Sequence, residues 1–484
     1  MRKCPVNPVE VWAQAWRPGL AWAWRHWRVL GAVVVLLYVA GFNGQWRITP
    51  DSALYANVGR SLAAGQGMIN GQGLADDSPV GLPGMFALLG GPGWMMQGFM
   101  LACAAAVLGL SFAVMRRVAG VMLAWGVVLL TATNHLFFEQ TTNLLTEMPF
   151  AVGLMLVCLG HEWRRAGLGW PAALRAWGLI GLGFAIMAVF RSVAAVVAAA
   201  YVAAEVWDAL ADPAKRRRGM GVLLAGAGAL ATAWFFSPAV RDDVGLFYWH
   251  VKEMDFARSG ENLWALLTEH LVEVTLGMDA DAFTATLVSL VLIAGGVMLL
   301  KVRRFWGVLW IACLVQWVVF LPEGRYALPL IPLLMMGLLA VLGAMTQRIL
   351  KPHRARVRGV MLGAVVLGNL VGVGDVIRDQ RAGAGAEAEE SDFYNAYRNG
   401  KYAALMDVGQ TVQAMNLPTD AVVACPEGLN ASELSAVTLH PVVNEDDLAA
   451  LSARVWLARD GDAWRVGERF SGWDDVPDAV DGGE

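Results

Sequence analysis

The sequence predicts an all-α polytopic membrane protein of about eleven transmembrane helices, with a small extracytoplasmic α/β domain at its C-terminus. Of its 484 residues, 57% are hydrophobic and only 16% are charged. A soluble chain of this size needs more polar residues to cover its surface. The polar residues are instead concentrated between the apolar runs and in the acidic tail at 391–484. The net charge of -4 argues against a nucleic acid partner.

Apolar runs of roughly 20 residues, or somewhat fewer, meet the length requirement for crossing a bilayer. The first run carries no small-residue cleavage site after it, so it is expected to be an uncleaved anchor. The predicted spans are 26–42, 94–115, 118–134, 148–161, 173–190, 192–210, 219–238, 283–300, 305–321, 326–346 and 359–376.

The basic residues predict the orientation of the chain. With a cytoplasmic N-terminus, the inner loops receive 21 of the 37 Lys and Arg residues, and the outer loops before the tail receive seven. Cytoplasmic loops of membrane proteins carry this excess of positive charge. We therefore expect a multi-pass protein of the bacterial cytoplasmic (inner) membrane, with its C-terminal domain in the periplasm and membrane lipids around it.

The composition predicts four parts of the chain. The tail should contain a helix at 393–415 and strands near 421–424 and 453–459. The four parts are a Trp-rich interfacial segment at 1–27, a membrane domain at 28–376 with outer loops at 43–84 and 239–281, a linker at 377–390 and the periplasmic α/β domain at 391–484.

The first outer loop is long and rich in Gly and Pro, which favours a functional loop. After Pro50, Asp51 is predicted to cap a helix on which Tyr55 and Gly59 share a face. Asp51 would lie just outside the membrane at the positive end of this helix. The alternative is that Asp51 serves only as the N-cap.

Two further charged residues fall at the outer ends of apolar runs. Glu147 lies at the mouth of a span, where burying a carboxylate without a partner is expensive. The alternative for Glu147 is a helix-start charge favoured by the helix dipole. Arg191 separates two apolar runs and needs an anion, unless its side chain snorkels to the membrane surface.

A tight outer turn completes the predicted site. Glu323, Gly324, Arg325 and Tyr326 lie between two spans, and Pro329 and Pro332 bend the helix that follows. A structural turn needs Gly and Pro, but it does not need three adjacent polar groups. The outer loops therefore gather acids and arginines on one face of the membrane.

Metal and disulfide sites have little support in the sequence. The five cysteines occur singly without a CxxC pair, which disfavours a disulfide framework or a zinc cage. His135 and Glu139 are residue types that bind metals, but they lack the spacing of a ligand set.

These motifs occur in the order found in a known family. Pro50 to Gly65, Thr146 to Pro149, Arg191, and Glu323 to Pro332 resemble the C-type membrane glycosyltransferases (the GT-C fold). Within them, the sequence is similar to the branch of protein O-mannosyltransferases and lipid A aminoarabinose transferases. The resemblance covers roughly residues 28–440. Each motif alone is weak, and their order on the correct membrane side is what makes the resemblance specific.

The resemblance implies a polyprenyl-phosphate-linked sugar donor and a lipid, glycan or protein acceptor on the outer side. It implies that Asp51 acts on the acceptor nucleophile and that Arg325 contacts the donor phosphate. At Ser52, some members of the family carry a second acidic residue. The family leaves a divalent metal open. The substrate-binding residues expected beside the catalytic Asp51 are Tyr55, Glu147, Arg191, Glu323, Arg325 and Tyr326.

Two other function classes fit the composition. A transporter would place polar groups and broken helices near the membrane midplane in related halves, whereas these spans carry little charge at their centres and show no internal repeat. A non-catalytic scaffold that presents the tail to a partner leaves the long first loop and the grouped charges unexplained.

Overall fold

A computed structural model gives the fold of the chain. Three predicted features lie outside the described residues. They are the span 219–238, the turn residue Glu323, and the charged and aromatic residues Asp242, Asp243, Tyr248, Trp249 and His250 of the outer loop predicted at 239–281. The structure describes residues 16–17, 20–42, 49–70, 78–90, 93–166, 170–212, 256–276, 280–319, 324–348, 351–382, 409, 411–415, 417, 423–425, 435, 442–444, 455–460 and 463–467.

The membrane domain is built from helices. A π-helix at Leu266–His270 connects α10 to α11, and 3-10 turns at Gly324–Leu330 and Thr346–Arg348 flank α14. The α-helices are α1 (Trp27–Gly41), α2 (Pro50–Ala63), α3 (Gly81–Leu89), α4 (Trp94–Ala119), α5 (Val121–Ala132), α6 (His135–Glu139), α7 (Glu147–Arg165), α8 (Trp170–Phe190), α9 (Ala194–Ala211), α10 (Phe256–Ala265), α11 (Leu271–Leu276), α12 (Ala282–Val302), α13 (Arg304–Val319), α14 (Ile331–Met345) and α15 (Lys351–Ala382).

The predicted spans coincide with these helices wherever the structure describes them. Within the described ranges, six helices are long and apolar enough to cross a membrane, and three shorter apolar helices accompany them. The predicted break at Arg191 is present, because α8 ends at Phe190 and α9 begins at Ala194. The chain is an all-α polytopic membrane protein in its larger part.

Close contact between α7 and α8 depends on small residues. A Cβ added at Gly183 of α8 would lie only 2.5 Å from the carbonyl oxygen of Gly153 in α7. Glycines at such positions let two membrane helices approach at backbone distance. This packing fixes α7, which begins at Glu147, beside α8, which ends just before Arg191.

The chain separates into two compact units. One contains 1–43 and 97–378, and the other contains 44–96 and 379–484. The second unit therefore joins α2 and α3 of the first loop to the tail. Within it, the Arg60 guanidinium donates a hydrogen bond of 3.0 Å to the carbonyl oxygen of Ser435.

The tail contains a four-stranded sheet of order β2-β1-β3-β4. Strand β1 (Val423–Cys425) pairs in parallel with β2 (Val442–Asn444) and β3 (Val455–Asp460), and β3 pairs antiparallel with β4 (Ala463–Gly467). The predicted strands at 421–424 and 453–459 correspond to β1 and β3. The sequence analysis missed β2 and β4, although Asp-Gly at 460–461 is a hairpin signal.

Candidate functional site

Glu147 lies at the first position of α7 and is buried, with 2% of its surface exposed. One carboxylate oxygen, Oε1, accepts a hydrogen bond from Nη1 of Arg191 and lies 3.9 Å from Nε of Arg325. The other oxygen, Oε2, is buried and has no hydrogen-bond partner among the described residues. The carboxylate is therefore at the helix start, as the dipole alternative requires, and it also contacts two arginines.

Arg191 projects from the short connection between α8 and α9. Besides Glu147, its Nη1 atom lies 3.3 Å from the hydroxyl oxygen of Thr146, and the side chain is 22% exposed. The expected anionic partner of Arg191 is thus present, forty-four residues away in the sequence. The ion pair with Glu147 explains the position of the Arg191 guanidinium, so the side chain does not need to reach the membrane surface for its charge to be accommodated.

Arg325 and Tyr326 belong to the 3-10 turn that leads into α14. The Tyr326 ring lies under two guanidinium groups, with the Cζ atoms of Arg191 and Arg325 at 4.8 Å and 5.3 Å from the ring centroid. Cation–π contacts of this kind hold positive charge at a defined place without neutralising it. We call Glu147, Arg191, Arg325 and Tyr326 the Glu147 cluster.

Asp51 lies in the first turn of α2, in the other compact unit. The prediction that Asp51 caps this helix was wrong, because Thr49 is the N-cap. The Thr49 hydroxyl accepts from the backbone N–H of Ser52 at 3.2 Å, and the Ser52 hydroxyl accepts from that of Thr49 at 2.9 Å. Thr49 and Ser52 thus form the capping box, and Asp51 is a partly exposed acid of the first turn.

Tyr55 and Gly59 lie four positions apart on α2, as predicted. Tyr55 is partly exposed, whereas Gly59 packs against α3, where an added Cβ would be 2.5 Å from Cβ of Phe86. At the next residue, burial lowers the pKa of the Arg60 guanidinium to about 10. Arg60 keeps its charge at neutral pH and holds Ser435 of the tail.

One acidic residue near the cluster was missed by the sequence analysis. Glu273 in α11 places its Oε2 atom 2.8 Å from the position that a Cβ on Gly324 would take. A lone carboxylate within the apolar run Leu271–Leu276 was the available signal, because carboxylates are rare in such runs without a role.

A second charged group was also missed, at the C-terminal end of α7. Glu162 accepts hydrogen bonds from Arg303 at 2.6 Å and 2.8 Å, and Arg164 pairs with Glu205 of α9. Glu162, Arg164 and Glu205 are all buried. We call Glu162, Arg303, Arg164 and Glu205 the Glu162 cluster. Glu205, inside a predicted span, was the sequence signal for it.

No metal-binding group of three or more His, Cys, Asp or Glu residues occurs within the described part of the chain. The Glu147 cluster instead brings two guanidiniums together around one buried carboxylate. Guanidinium groups are suited to phosphate and carboxylate ligands and do not bind metal cations.

Comparisons by sequence are negative for this chain. No protein-family model matches it, and no curated protein matches it.

Comparisons of structure give clear matches. The chain is similar to ArnT from Cupriavidus metallidurans in the apo state, with a TM-score of 0.58, 15% identity, and coverage of 89% of this chain and 88% of that one. The same ArnT bound to undecaprenyl phosphate matches with a TM-score of 0.56 and 14% identity over 88% and 87% of the two chains. An oligosaccharyltransferase from an archaeon, AglB from Archaeoglobus fulgidus in complex with an inhibitory peptide and a dolichol-phosphate, matches with a TM-score of 0.52 and 11% identity over 87% of this chain and 64% of that one.

Each of these matches covers 87–89% of this chain. The chain has the fold of the C-type membrane glycosyltransferases, as the order of its motifs predicts.

Proposed function

We propose that this chain is an inner-membrane glycosyltransferase that moves a sugar from a polyprenyl-phosphate donor to an acceptor on the extracytoplasmic side, with inversion at the anomeric carbon. The observation that carries the proposal is the Glu147 cluster, in which two arginines are held side by side in a chain of this fold. The structural matches include a protein bound to undecaprenyl phosphate and another in complex with dolichol-phosphate. The excess of basic residues in alternate loops supports the orientation.

The arginines are suited to the leaving group of this reaction. When the sugar–phosphate C–O bond breaks, its electron pair stays with the lipid phosphate and negative charge grows on the phosphate oxygens. A planar guanidinium donates two parallel hydrogen bonds to such a group. Because the charge is greater in the transition state than in the bound donor, Arg191 and Arg325 accelerate the transfer rather than only binding the donor.

Asp51 is proposed as the general base. Its carboxylate is in the first turn of α2, is partly exposed and belongs to the first outer loop. The acceptor hydroxyl gives its proton to Asp51 as its oxygen forms a bond to the anomeric carbon, opposite the departing phosphate. This single displacement inverts the anomeric configuration.

Glu147 has a different part in the proposal. It is buried beneath the arginines and contacts both of them, so its proposed role is to hold the two cations together. Tyr55, Tyr326 and Glu323 are proposed to line the substrate site. We propose that the sugar transferred from the donor is a hexose or a pentose.

Transfer by purified protein tests the proposal. The chain in detergent is incubated with a panel of polyprenyl-phosphate sugars and radiolabel is followed into extracted lipid, glycan or protein. Asp51→Asn is expected to lower kcat by about 10²–10⁴-fold, the usual contribution of a general base. Ser78→Ala, in the same loop, is the matched control and is expected to keep full activity.

Four results would count against the proposal. Product with retained anomeric configuration contradicts the single displacement, and full activity of the Asp51→Asn variant removes Asp51 from the chemistry. Sugar-phosphate uptake by proteoliposomes without transfer would favour the transporter, and neither transfer nor uptake would favour the scaffold.

A further inference from the structure

Thr146 occupies the N-cap of α7, but its hydroxyl does not cap the helix. The Thr146 carbonyl oxygen accepts a hydrogen bond from the backbone N–H of Phe150 at 3.1 Å, whereas the side chain makes no capping hydrogen bond. A threonine N-cap usually has an extended backbone, from which its hydroxyl accepts from the N–H groups of the first turn. Thr49 at the start of α2 does so with ψ at 158°, whereas ψ of Thr146 is -14°. The Thr146 hydroxyl is therefore available to another partner.

That partner is Arg191. Thr146 is buried, with 2% of its surface exposed, and its hydroxyl oxygen lies 3.3 Å from Nη1 of Arg191. A guanidinium only donates hydrogen bonds, so the hydroxyl oxygen accepts. The same Nη1 atom also donates to Oε1 of Glu147. Because Nη1 carries two hydrogens, two consecutive residues at the start of α7 each accept one of them.

The two bonds have different effects on Arg191. The Glu147 carboxylate binds the positive charge, but a single bond would let the planar guanidinium turn about the N–H···O line. A second acceptor on the same nitrogen removes this rotation, because both N–H groups lie in the guanidinium plane and prefer a nearly straight line to their acceptors. The Thr146 hydroxyl is neutral, so it orients the cation without neutralising it. The Tyr326 ring, 4.8 Å from Cζ of Arg191, supports the guanidinium from one side.

We propose that the Thr146 hydroxyl is a positioning group for Arg191, setting the plane in which its guanidinium meets the phosphate of the lipid-linked donor. This inference rests on the proposed function. Two parallel hydrogen bonds to a phosphate require the guanidinium and two phosphate oxygens to lie in one plane, so a tilt of the group weakens one of the bonds. Catalytic groups must be held within about 10–20° of their productive geometry. Loss of the hydroxyl therefore lowers the rate of transfer without removing a group that contacts the donor.

Thr146→Val removes the hydroxyl and keeps the branched shape of the side chain. In the full chain in detergent, kcat for transfer is expected to fall about tenfold while KM for the donor changes less, because Arg191 acts chiefly on the transition state. Thr146→Ser keeps the hydroxyl and is expected to retain most of the activity. Thr346→Val is the matched control, since the buried Thr346 hydroxyl accepts from Nε of Arg358 at 2.7 Å. This control is expected to lower the melting temperature about as much as Thr146→Val and to leave kcat unchanged.

A double-mutant cycle with Arg191→Lys tests whether the hydroxyl acts through the guanidinium plane. Lysine carries a compact charge with no plane to orient. Thr146→Val is therefore expected to lower kcat about tenfold when residue 191 is arginine and less than about twofold in the Arg191→Lys background. Equal effects in the two backgrounds, or full activity of Thr146→Val, would overturn the inference.

Binding of undecaprenyl phosphate to the same variants separates this inference from the proposed function. If the wild-type protein transfers no sugar, the proposed function fails and the cycle is read on the dissociation constant. Coupling between positions 146 and 191 then supports the positioning role, whereas additive effects or absence of binding overturn it. If Arg191→Ala loses transfer while Thr146→Val behaves as wild type, the positioning role alone fails and the proposed function stands.

Discussion

The two ends of helix α7 carry charged clusters that differ in how carboxylates and arginines are matched. Fifteen residues separate Glu147 from Glu162, about 22 Å along the helix axis. At the Glu162 end, Arg303 binds both oxygens of Glu162, and Arg164 has Glu205. At the Glu147 end, one carboxylate contacts two guanidiniums, one of them at 3.9 Å.

The difference separates a structural role from a binding role. In the bidentate pair, Arg303 donates to both oxygens of Glu162 and holds α7 against the connection between α12 and α13. A single acid in contact with two arginines holds the two guanidiniums close to each other, beside the Tyr326 ring. Two clusters built from the same residue types can therefore be assigned to different tasks by their geometry.

The largest effect on stability is expected at the Glu162 end. Glu162→Gln leaves the Arg303 guanidinium, whose side chain is 20% exposed, against a neutral amide. Removal of one partner of a buried pair typically costs about 3–5 kcal/mol, and because Arg303 is partly exposed we expect a loss at the lower end, about 3 kcal/mol. Thermal unfolding in detergent measures the loss, and transfer per folded molecule is expected to be unchanged. Arg304→Ala is the matched control: its pair with Asp208 is more exposed and contributes at most about 1 kcal/mol. Loss of activity at full stability would reverse our assignment.

The Glu147 end is expected to behave in the opposite way. Arg325→Ala is expected to lower kcat by about 10²–10³-fold, because a preorganised donor to developing charge is lost. Its melting temperature is expected to stay near that of wild type. Arg325→Lys keeps the charge but not the planar fork and should recover only part of the rate. Arg378→Ala, an exposed arginine of α15, is the control, and an equal loss there would contradict the prediction.

A smaller effect sharpens the comparison. Glu147→Gln removes the negative charge that the two arginines share, so an added anion is expected to bind there more strongly. Inorganic phosphate should raise the melting temperature of this variant more than that of wild type, since a ligand of the folded state stabilises it. Phosphate should do nothing for Glu162→Gln. Equal stabilisation of the two variants would show that both ends take anions.

Much of this arrangement could be predicted from the sequence. Apolar runs predicted the helices, and the unusual cost of a charge beside an apolar run identified Glu147 and Arg191. The prediction that Arg191 needs an anion was confirmed by its pair with Glu147. The position of the helix break at Arg191 was also confirmed.

The missed features depend on contacts between distant segments. Glu162 and Arg303 are separated by 141 positions, and no local pattern shows that they meet. Glu273 lies close to Gly324 in the structure, and the local sequence around either residue does not show that they meet. The N-cap of α2 was misplaced by two residues because Thr, Asp and Ser are all good caps, and the reciprocal bonds of Thr49 and Ser52 decided between them.

The burial of α14 has a consequence for how the bilayer acts on the protein. In the segment Gly324–Met345, 89% of the most apolar window is buried within the protein, against 28% and 39% for the helices on either side of Arg191. A thicker or thinner bilayer tilts helices through their lipid-facing surfaces. Arg325, at the start of the shielded helix, should therefore keep its place when lipid chain length changes. Arg191 is attached to helices that meet the lipid, so membrane thickness would alter the spacing between the two guanidiniums.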